Sequence, residues 1–482
     1  MISADDFHTY YQMHECARRL WLDSTRPDLK ASPSEFDQLV MRKGRAHEEA
    51  HLAAFPEHLR PTYPMGDVAA GAQATAILIA QRTPVIYQGV LLSPDRALAG
   101  IPDFLIREGN GYVIRDAKLA VNLERHPEIP AQLGLYSRLL RQVCGSPPVR
   151  CEVLLGNGEL VLMGPEDVAN LISRVSAIKG AADMPDEAVG WSKCNPCAFF
   201  DYCWSSAVEA HDPAVVAGIE RGLREALMRA GIKRYDDLLS IGVDRLAEMR
   251  FQQKTRERRV GEKIAERALR QVRVLMSGKL QMVSVPQLPT PGPIVCFDVE
   301  SNPFEADLEP VVYLWGILVD QADGSHPTYS GVLASPGSEG DKVAWEEFLS
   351  KVAVILGELA DVPFVHYAAY EKTWLANYVE RWGDRDGMAE RVAERLIDLY
   401  PVITSSLCLP VHSYSLKQVE KCAGFRREQE EYGSLWSVAR YNALVGAADE
   451  AERKAIETEL LVYNEEDCRA MRHVLEWARN PR

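Results

Sequence analysis

At 482 residues, 47% hydrophobic and 26% charged, the chain exceeds one ordinary core and predicts two or three globular domains. A net charge of -15 argues against a protein that coats nucleic acid without selection, an affinity that comes from Lys and Arg, yet leaves room for carboxylates that gather cations. No apolar run reaches bilayer length, MISADDFHTYYQMHEC lacks a basic-then-apolar leader, and six of the ten cysteines stand singly, so a reduced, cytoplasmic protein with no membrane partner is expected.

In chain order, residues 34–55 carry Phe36, Leu39, Val40, Ala46 and Ala50 at helical spacing behind Ser34 as a cap, which predicts an amphipathic helix. Apolar runs at 85–92, 99–107 and 111–119 predict strands, with Gly109, Asn110 and Gly111 marking a hairpin between the last two. A helix with Leu133, Tyr136, Leu139 and Leu140 on one face follows, then the strand VRCEVLLG. That order is α/β. Residues 205–280 read as helical and basic, with nine Lys or Arg against three Glu from Arg250 to Arg273. Within it, ALMRAGIKRYDDLLSIGVDRLAEM predicts two short helices around a tight turn, either a helix-hairpin-helix-like element suited to phosphate or a solvated helical linker. QMVSVPQLPTPGP, with four prolines, predicts a connector over 281–293. A second α/β domain follows, with strands PIVCFDVE, VVYLWGILVD, one near 326–333 and VPFVHY, and a final helix over 450–478. No G-x-x-x-x-G-K-[ST] loop occurs, so an ATP-driven motor is not expected in this chain.

Two sets of residues carry chemistry. Asp103 in GIPDFLIRE and Asp116 with Lys118 in GYVIRDAKL are brought together by the hairpin, and residues 116 and 118 share a face because strand side chains alternate. Carboxylates around a divalent cation, beside a lysine that orients water or offsets charge, are what phosphodiester hydrolysis asks for. His47 offers a nitrogen ligand, and Gln132 and Tyr136, one helical turn apart, can face the same cleft. Further on, Asp298 and Glu300 form D-x-E at the end of a buried strand, and Tyr463 and Asp467 lie at i and i+4 in YNEED. Glu371 begins a helix in HYAAYEKTWL, and Asp398 in LIDLY is either a further ligand or a helix cap. Cys16 with Cys194, Cys197 and Cys203, spaced C-x2-C-x5-C, brackets the first set as ligands of structural zinc or an iron-sulfur cluster that would tie the domain's ends together. The tryptophans read as core.

GIPDF, DAK, a helical His before them and Q-x3-Y after them resemble the PD-(D/E)xK nucleases of the RecB family over residues 1–205, and the four cysteines narrow the likeness to the iron-sulfur, CRISPR-associated RecB-like exonuclease type. The resemblance implies a restriction-endonuclease-like domain in which His47, Asp103 and Asp116 bind Mg or Mn, Lys118 is catalytic, Gln132 and Tyr136 support the site, and the cysteines hold a [4Fe-4S] cluster. Asp116 departs from it, since Glu is common there. D-x-E, an acidic middle motif and Y-x3-D resemble the RNase-H-like DEDD exonucleases over residues 294–482, which implies that Asp298, Glu300, Glu371 and Asp467 bind two cations and that Tyr463 helps to place water. Glu371 departs from it, since Asp is usual there. Together these give an α/β chain of nuclease domain (1–205), helix-hairpin-helix-like segment (206–280), linker (281–293) and exonuclease domain (294–482). The expected activity is a two-site, metal-dependent deoxyribonuclease acting on DNA that is single-stranded or has single-stranded ends, with a separate helicase or a defence or repair complex as partner. The alternatives are a nucleic-acid-binding scaffold with inactive sites and an RNA-processing exonuclease.

Overall fold

The computed structural model describes residues 1–12, 15–164, 166–303, 310–428 and 433–481. They fall into one unit of Met1–Glu187 with Pro196–Tyr202 and another of Ala188–Asn195 with Cys203–Arg482.

In the first unit, helices α1 (Ala4–Gln12), α2 (Ala17–Thr25), α3 (Glu35–Leu52) and α4 (Val68–Ala80) precede the main sheet. Ser34 starts α3 as a reciprocal cap with Asp37, as its position before the apolar periodicity predicts. The sheet has five strands, β1 (Val85–Tyr87), β2 (Phe104–Glu108), β3 (Gly111–Ala117), β4 (Cys151–Leu154) and β5 (Leu160–Met163), adjacent in that order. β2 and β3 form the expected hairpin, with Glu108 paired to Gly111 and Gly109 at φ +61° in the turn, where glycine has no Cβ to clash. β3 and β4 run parallel, so the chain must cross over between them, and α5 (Glu128–Cys144) makes that crossing. Its buried face, Leu133, Leu135, Tyr136, Leu139 and Leu140, closes the core over the sheet. After the sheet comes α6 (Ala169–Lys179), and hydrogen bonds then join the unit's early and late residues: Trp21 Nε1–H donates to Ala181 O at 2.9 Å and Ala31 N–H to Ala198 O at 2.8 Å.

The second unit begins with helical segments that include α7 (Arg221–Arg229) and α8 (Leu238–Glu248), the latter broken at Gly242, whose φ of +72° turns the chain. The expectation of unbroken helical character to 280 fails at 250–259. There β6 (Arg250–Gln253) and β7 (Arg256–Arg259) form an antiparallel hairpin, because only Phe251 among those residues is apolar and buried and no helical apolar stripe exists to dock. α9 (Glu262–Ser277) follows and buries Gln271, whose amide donates to Leu409 O at 2.7 Å and Val411 O at 3.1 Å. The expected connector at 281–293 is also partly built in: Gln281–Met282 pairs antiparallel with Leu407–Cys408, and Val283 N–H donates to Ser406 O at 2.7 Å.

The large sheet of this unit is formed by β8 (Ile294–Asn302), β9 (Val311–Asp320), β10 (Thr328–Leu333), β11 (Phe364–His366) and β12 (Leu396–Asp398), in the spatial order β10-β9-β8-β11-β12. The first three are antiparallel, and β11 and β12 run parallel to β8. Along β8, Val295, Phe297 and Val299 join the core containing Trp345 and Phe348 of α10 (Gly337–Glu358), while Ile294 and Cys296 face the core of the final helix, α15 (Glu450–Ala478). Between these lie α11 (Tyr370–Trp382), α12 (Leu399–Ser406), α13 (Leu416–Cys422) and α14 (Ser434–Gly446). Trp315 and Trp345 are core, as expected. Among the described residues no helix is long and apolar enough to cross a membrane.

Candidate functional site

In the first unit, Asp103 just before β2 meets Asp116 on β3. Ala117 N–H donates to Asp103 Oδ2 at 2.7 Å, and Asp103 N–H approaches Asp116 Oδ1 at 3.4 Å. Lys118, one residue past β3, places its Nζ 2.7 Å from the Asp116 carboxylate, which is 1% exposed. Burial, and then the Asp116 charge, pushes the Asp103 carboxyl well above its ordinary value. Burial alone would lower the Lys118 amine, but Asp116 and Asp103 outweigh it and raise it.

Tyr136 lies against this cluster, its hydroxyl pushed upward by burial and by the Asp116 and Asp103 charges. Gln132, one turn earlier on α5, is buried and donates to Ala4 O at 3.1 Å. His47 Nε2 is 3.5 Å from Leu154 O, and His47, Asp103 and Asp116 do not bring three ligand atoms within 4.8 Å of one another. The neighbouring Glu48, not singled out by the motif, adds its negative charge to Asp103 and accepts from Gln88 Nε2 at 2.8 Å. Of the cysteines, Cys16 and Cys197 belong to the first unit and Cys194 and Cys203 to the second, each partly buried.

In the second unit, the alternation that sends Ile294 and Cys296 toward α15 continues through Asp298 and Glu300. Asp467 on α15 faces them. Ligand atoms of Asp298, Glu300 and Asp467 all lie within 4.8 Å of one another, the one such group of metal-capable side chains among the described residues. Two glycines let the helix come this close: a Cβ on Gly316 of β9 would lie 1.7 Å from Asn464 Oδ1, and one on Gly331 of β10 would lie 2.4 Å from Leu461 Cδ2. Asn464 Nδ2–H donates to Asp298 Oδ2 at 2.6 Å and its Oδ1 accepts from Tyr329 at 2.8 Å, while Ser437 Oγ–H donates to Glu300 Oε2 at 2.9 Å.

Burial, followed by the charges of Asp467, Glu300 and Glu371, raises Asp298 well above the usual carboxylate range. Burial and then Asp467 push Glu300 up to about 8. Among the described residues two cations oppose this charge, Arg427 at Asp298 and Lys417 at Glu300. Arg427 forks onto Glu420 at 2.7 and 2.9 Å and reaches Asp467 Oδ1 at 2.5 Å, its side chain 5% exposed. Lys417 Nζ stands 5.3 Å from the centre of the Tyr463 ring, and burial lowers its pKa. Tyr463 is buried next to Trp436, with ring centroids 5.6 Å apart. Glu371 is buried at the start of α11, 3.2 Å from His366 Nδ1; its charge is felt at Asp298, but it is not part of the three-carboxylate group. Asp398 caps α12, accepting from Tyr400 N–H at 2.9 Å and from Ala368 N–H at 2.8 Å. Arg427, Glu420, Asn464 and Ser437 had no motif to reveal them; Asn464, one residue after Tyr463 on a helix whose face was already marked, carried the only usable signal.

Three mutually repelling oxygen donors, two buried and that of Asp298 partly buried, fit a hard divalent cation such as Mg or Mn, because bringing its charge among them relieves the repulsion that raises Asp298 and Glu300. No curated protein and no solved structure matches the chain. Residues 295–479 match the RNase_H_2 family model, described as RNase_H superfamily, so the C-terminal domain is RNase H-like and of a kind that points to nuclease chemistry.

Proposed function

We propose that the chain is a metal-dependent nuclease whose C-terminal domain hydrolyses phosphodiester bonds at Asp298, Glu300 and Asp467. The observation that carries this reading is the convergence of those three carboxylates from β8 and α15. They would hold Mg or Mn, and Glu371 stands close enough to influence Asp298. When bound, such cations polarise the phosphoryl oxygen and lower the pKa of water. Asn464 and Ser437 orient Asp298 and Glu300, Arg427 holds Asp467, and Tyr463, on the same face of α15 as Asp467, helps to place the attacking water at a 3' end. The substrate we favour is DNA that is single-stranded or carries single-stranded ends. End-labelled DNA and RNA of one sequence, incubated with Mg, Mn or EDTA, test this: Asp298→Asn should abolish stepwise loss of 3' nucleotides, and faster cleavage of the RNA would move the assignment to RNA processing.

The first unit is read as a second hydrolytic site of PD-(D/E)xK type, with Asp103 and Asp116 as cation ligands, His47 or Glu48 beside them and Lys118 as the catalytic amine. Its support is the Asp116–Lys118 pair next to the raised Asp103 carboxyl. Cys16, Cys194, Cys197 and Cys203 are read as the ligands of a [4Fe-4S] cluster, with zinc as the alternative. Anaerobically purified protein should be brown, whereas a colourless zinc protein would remove the iron-sulfur reading. A separate helicase or a defence or repair complex fits as partner, in the cytoplasm. A second overall reading, a scaffold that binds nucleic acid without cutting, is favoured by one observation: Arg427 already supplies a positive charge to Asp467. Failure of Mn to bind the intact protein would select it.

A further inference from the structure

The β6–β7 hairpin and α9 enclose a groove of about 260 Å³ whose lining includes Gly218, Glu220, Phe251, Lys263, Ile264 and Arg267. Its two sides carry positive charge for separate reasons. On the hairpin, Arg258 lies opposite Phe251 and Arg256 opposite Gln253, and directly opposed residues of an antiparallel pair project from the same face. Since Phe251 and Gln253 line the groove, Arg256 and Arg258 stand on its side of the hairpin. On α9, Lys263 and Arg267 are four residues apart and share a helix face, and both reach the groove. All four cations are exposed, and among the described residues none of the four has a carboxylate within 4.0 Å. In the lining itself Lys263 and Arg267 meet one acid, Glu220, and Arg256 and Arg258 add two positive charges on the hairpin side.

The hairpin is seated, not loose. A Cβ on Gly222 of α7 would lie 1.8 Å from Gln252 O, so glycine there lets β6 rest directly on the first turn of α7. Phe251 is 7% exposed and anchors the strand in the core beneath. The charge arrangement costs stability: Arg250 sits directly across from Arg259, and Arg250 pairs with Glu257 at 3.2 Å. In a chain of net charge -15, the stretch Arg250–Arg273 holds nine cations and three acids. A rigidly mounted, self-repelling positive rim around an apolar-floored groove is complementary to a polyanion with an apolar side.

We propose that this groove binds the phosphodiester backbone of a single nucleic-acid strand, without reading its sequence, with Arg256 and Arg258 on one side and Lys263 and Arg267 on the other. The identity of the polyanion rests on the nuclease reading; the binding surface itself does not.

The test uses the full-length protein in EDTA and the fluorescence anisotropy of an end-labelled single-stranded DNA, titrated across salt concentrations. Substituting Arg256→Ala, Arg258→Ala, Lys263→Ala and Arg267→Ala together should weaken binding at least tenfold at low salt. It should also reduce the slope of log affinity against log salt by about 0.7 per lost contact, or about three in all. Lys342→Ala with Lys351→Ala, at an exposed and a half-buried position of α10, is the control and should change neither. Unchanged affinity and slope in the fourfold variant overturn the proposal, as does equal displacement of the strand by polyglutamate, which would make the groove a site for acidic peptides. The two readings separate cleanly: lost binding in the variant with no cleavage by the parent protein sinks the nuclease and leaves the groove, while normal cleavage with unaltered binding does the reverse.

Discussion

In the hairpin cluster of the first unit, a lysine one residue past the strand pairs with Asp116, whereas in the C-terminal cluster the paired cation, Arg427, comes from outside the sheet and is shared with Glu420. The first cluster therefore neutralises part of its charge with a neighbour two residues along the sequence. Among the described residues, the second leaves Asp298 and Glu300 without a cationic hydrogen-bond donor, held by the neutral Asn464 and Ser437. The difference teaches that a carboxylate group's dependence on an added cation follows from how its internal positive charge is spent, not from the number of acids alone.

The largest effect that would break this comparison is loss of metal. Asp298→Asn and Asp467→Asn should each lower Mn affinity by more than the roughly hundredfold seen for changes in outer partners of a metal site, measured by calorimetry on the intact protein. Equal losses on changing Asp116 to Asn would erase the contrast. Next in size is Lys118→Met, which strands a carboxylate that is 1% exposed. Because the lysine side chain is itself 27% exposed, the cost should be about 1–3 kcal/mol, below that of a fully buried broken pair. Urea denaturation would show it, and Asp116→Asn added to Lys118→Met should restore most of the stability. Gly316→Ala should cost about 1–3 kcal/mol by overpacking α15 against the sheet, and should weaken Mn binding together with it; an alanine variant that melts and binds like the parent would deny the close approach a role.

The smallest effect sharpens the electrostatics. With Glu300 raised to about 8, the metal-free fold favours the protonated acid. Its contribution is fully present below the unfolded value near 4.5 and is lost as pH rises through about 8. The melting temperature without metal should therefore fall between those limits, by more in the parent than in Glu300→Gln, and saturating Mn should flatten the difference.

Much of the C-terminal site was legible because its signals are local. D-x-E and Y-x3-D each need only the period of a strand or a helix, and the strand runs around them are strongly apolar. What escaped reading depends on contacts that no short window contains: Arg427 lies 40 residues from Asp467, and Ser437 lies 137 from Glu300. In the first unit the hairpin and α5 were visible, but the helices α1, α2, α4 and α6 were not drawn, and Glu48 was eclipsed by the adjacent histidine. The hairpin at 250–259 was hidden by its own charge, since an alternation with one apolar residue carries little amphipathic signal. The proline-rich segment read as a free connector because pairing with Leu407–Cys408 is set by tertiary structure.

The amide of Asn464 takes one oxygen of Asp298, and the hydroxyl of Ser437 takes one oxygen of Glu300. Each carboxylate then has a single oxygen with no protein donor among the described residues. Ligands offering one atom apiece suit a small octahedral ion that keeps several of its waters, and suit poorly a larger ion that fills its wider shell by taking both oxygens of an acid. If the cluster holds a cation as proposed, this denticity favours magnesium or manganese over calcium, and calcium added in excess should leave the cluster weakly filled.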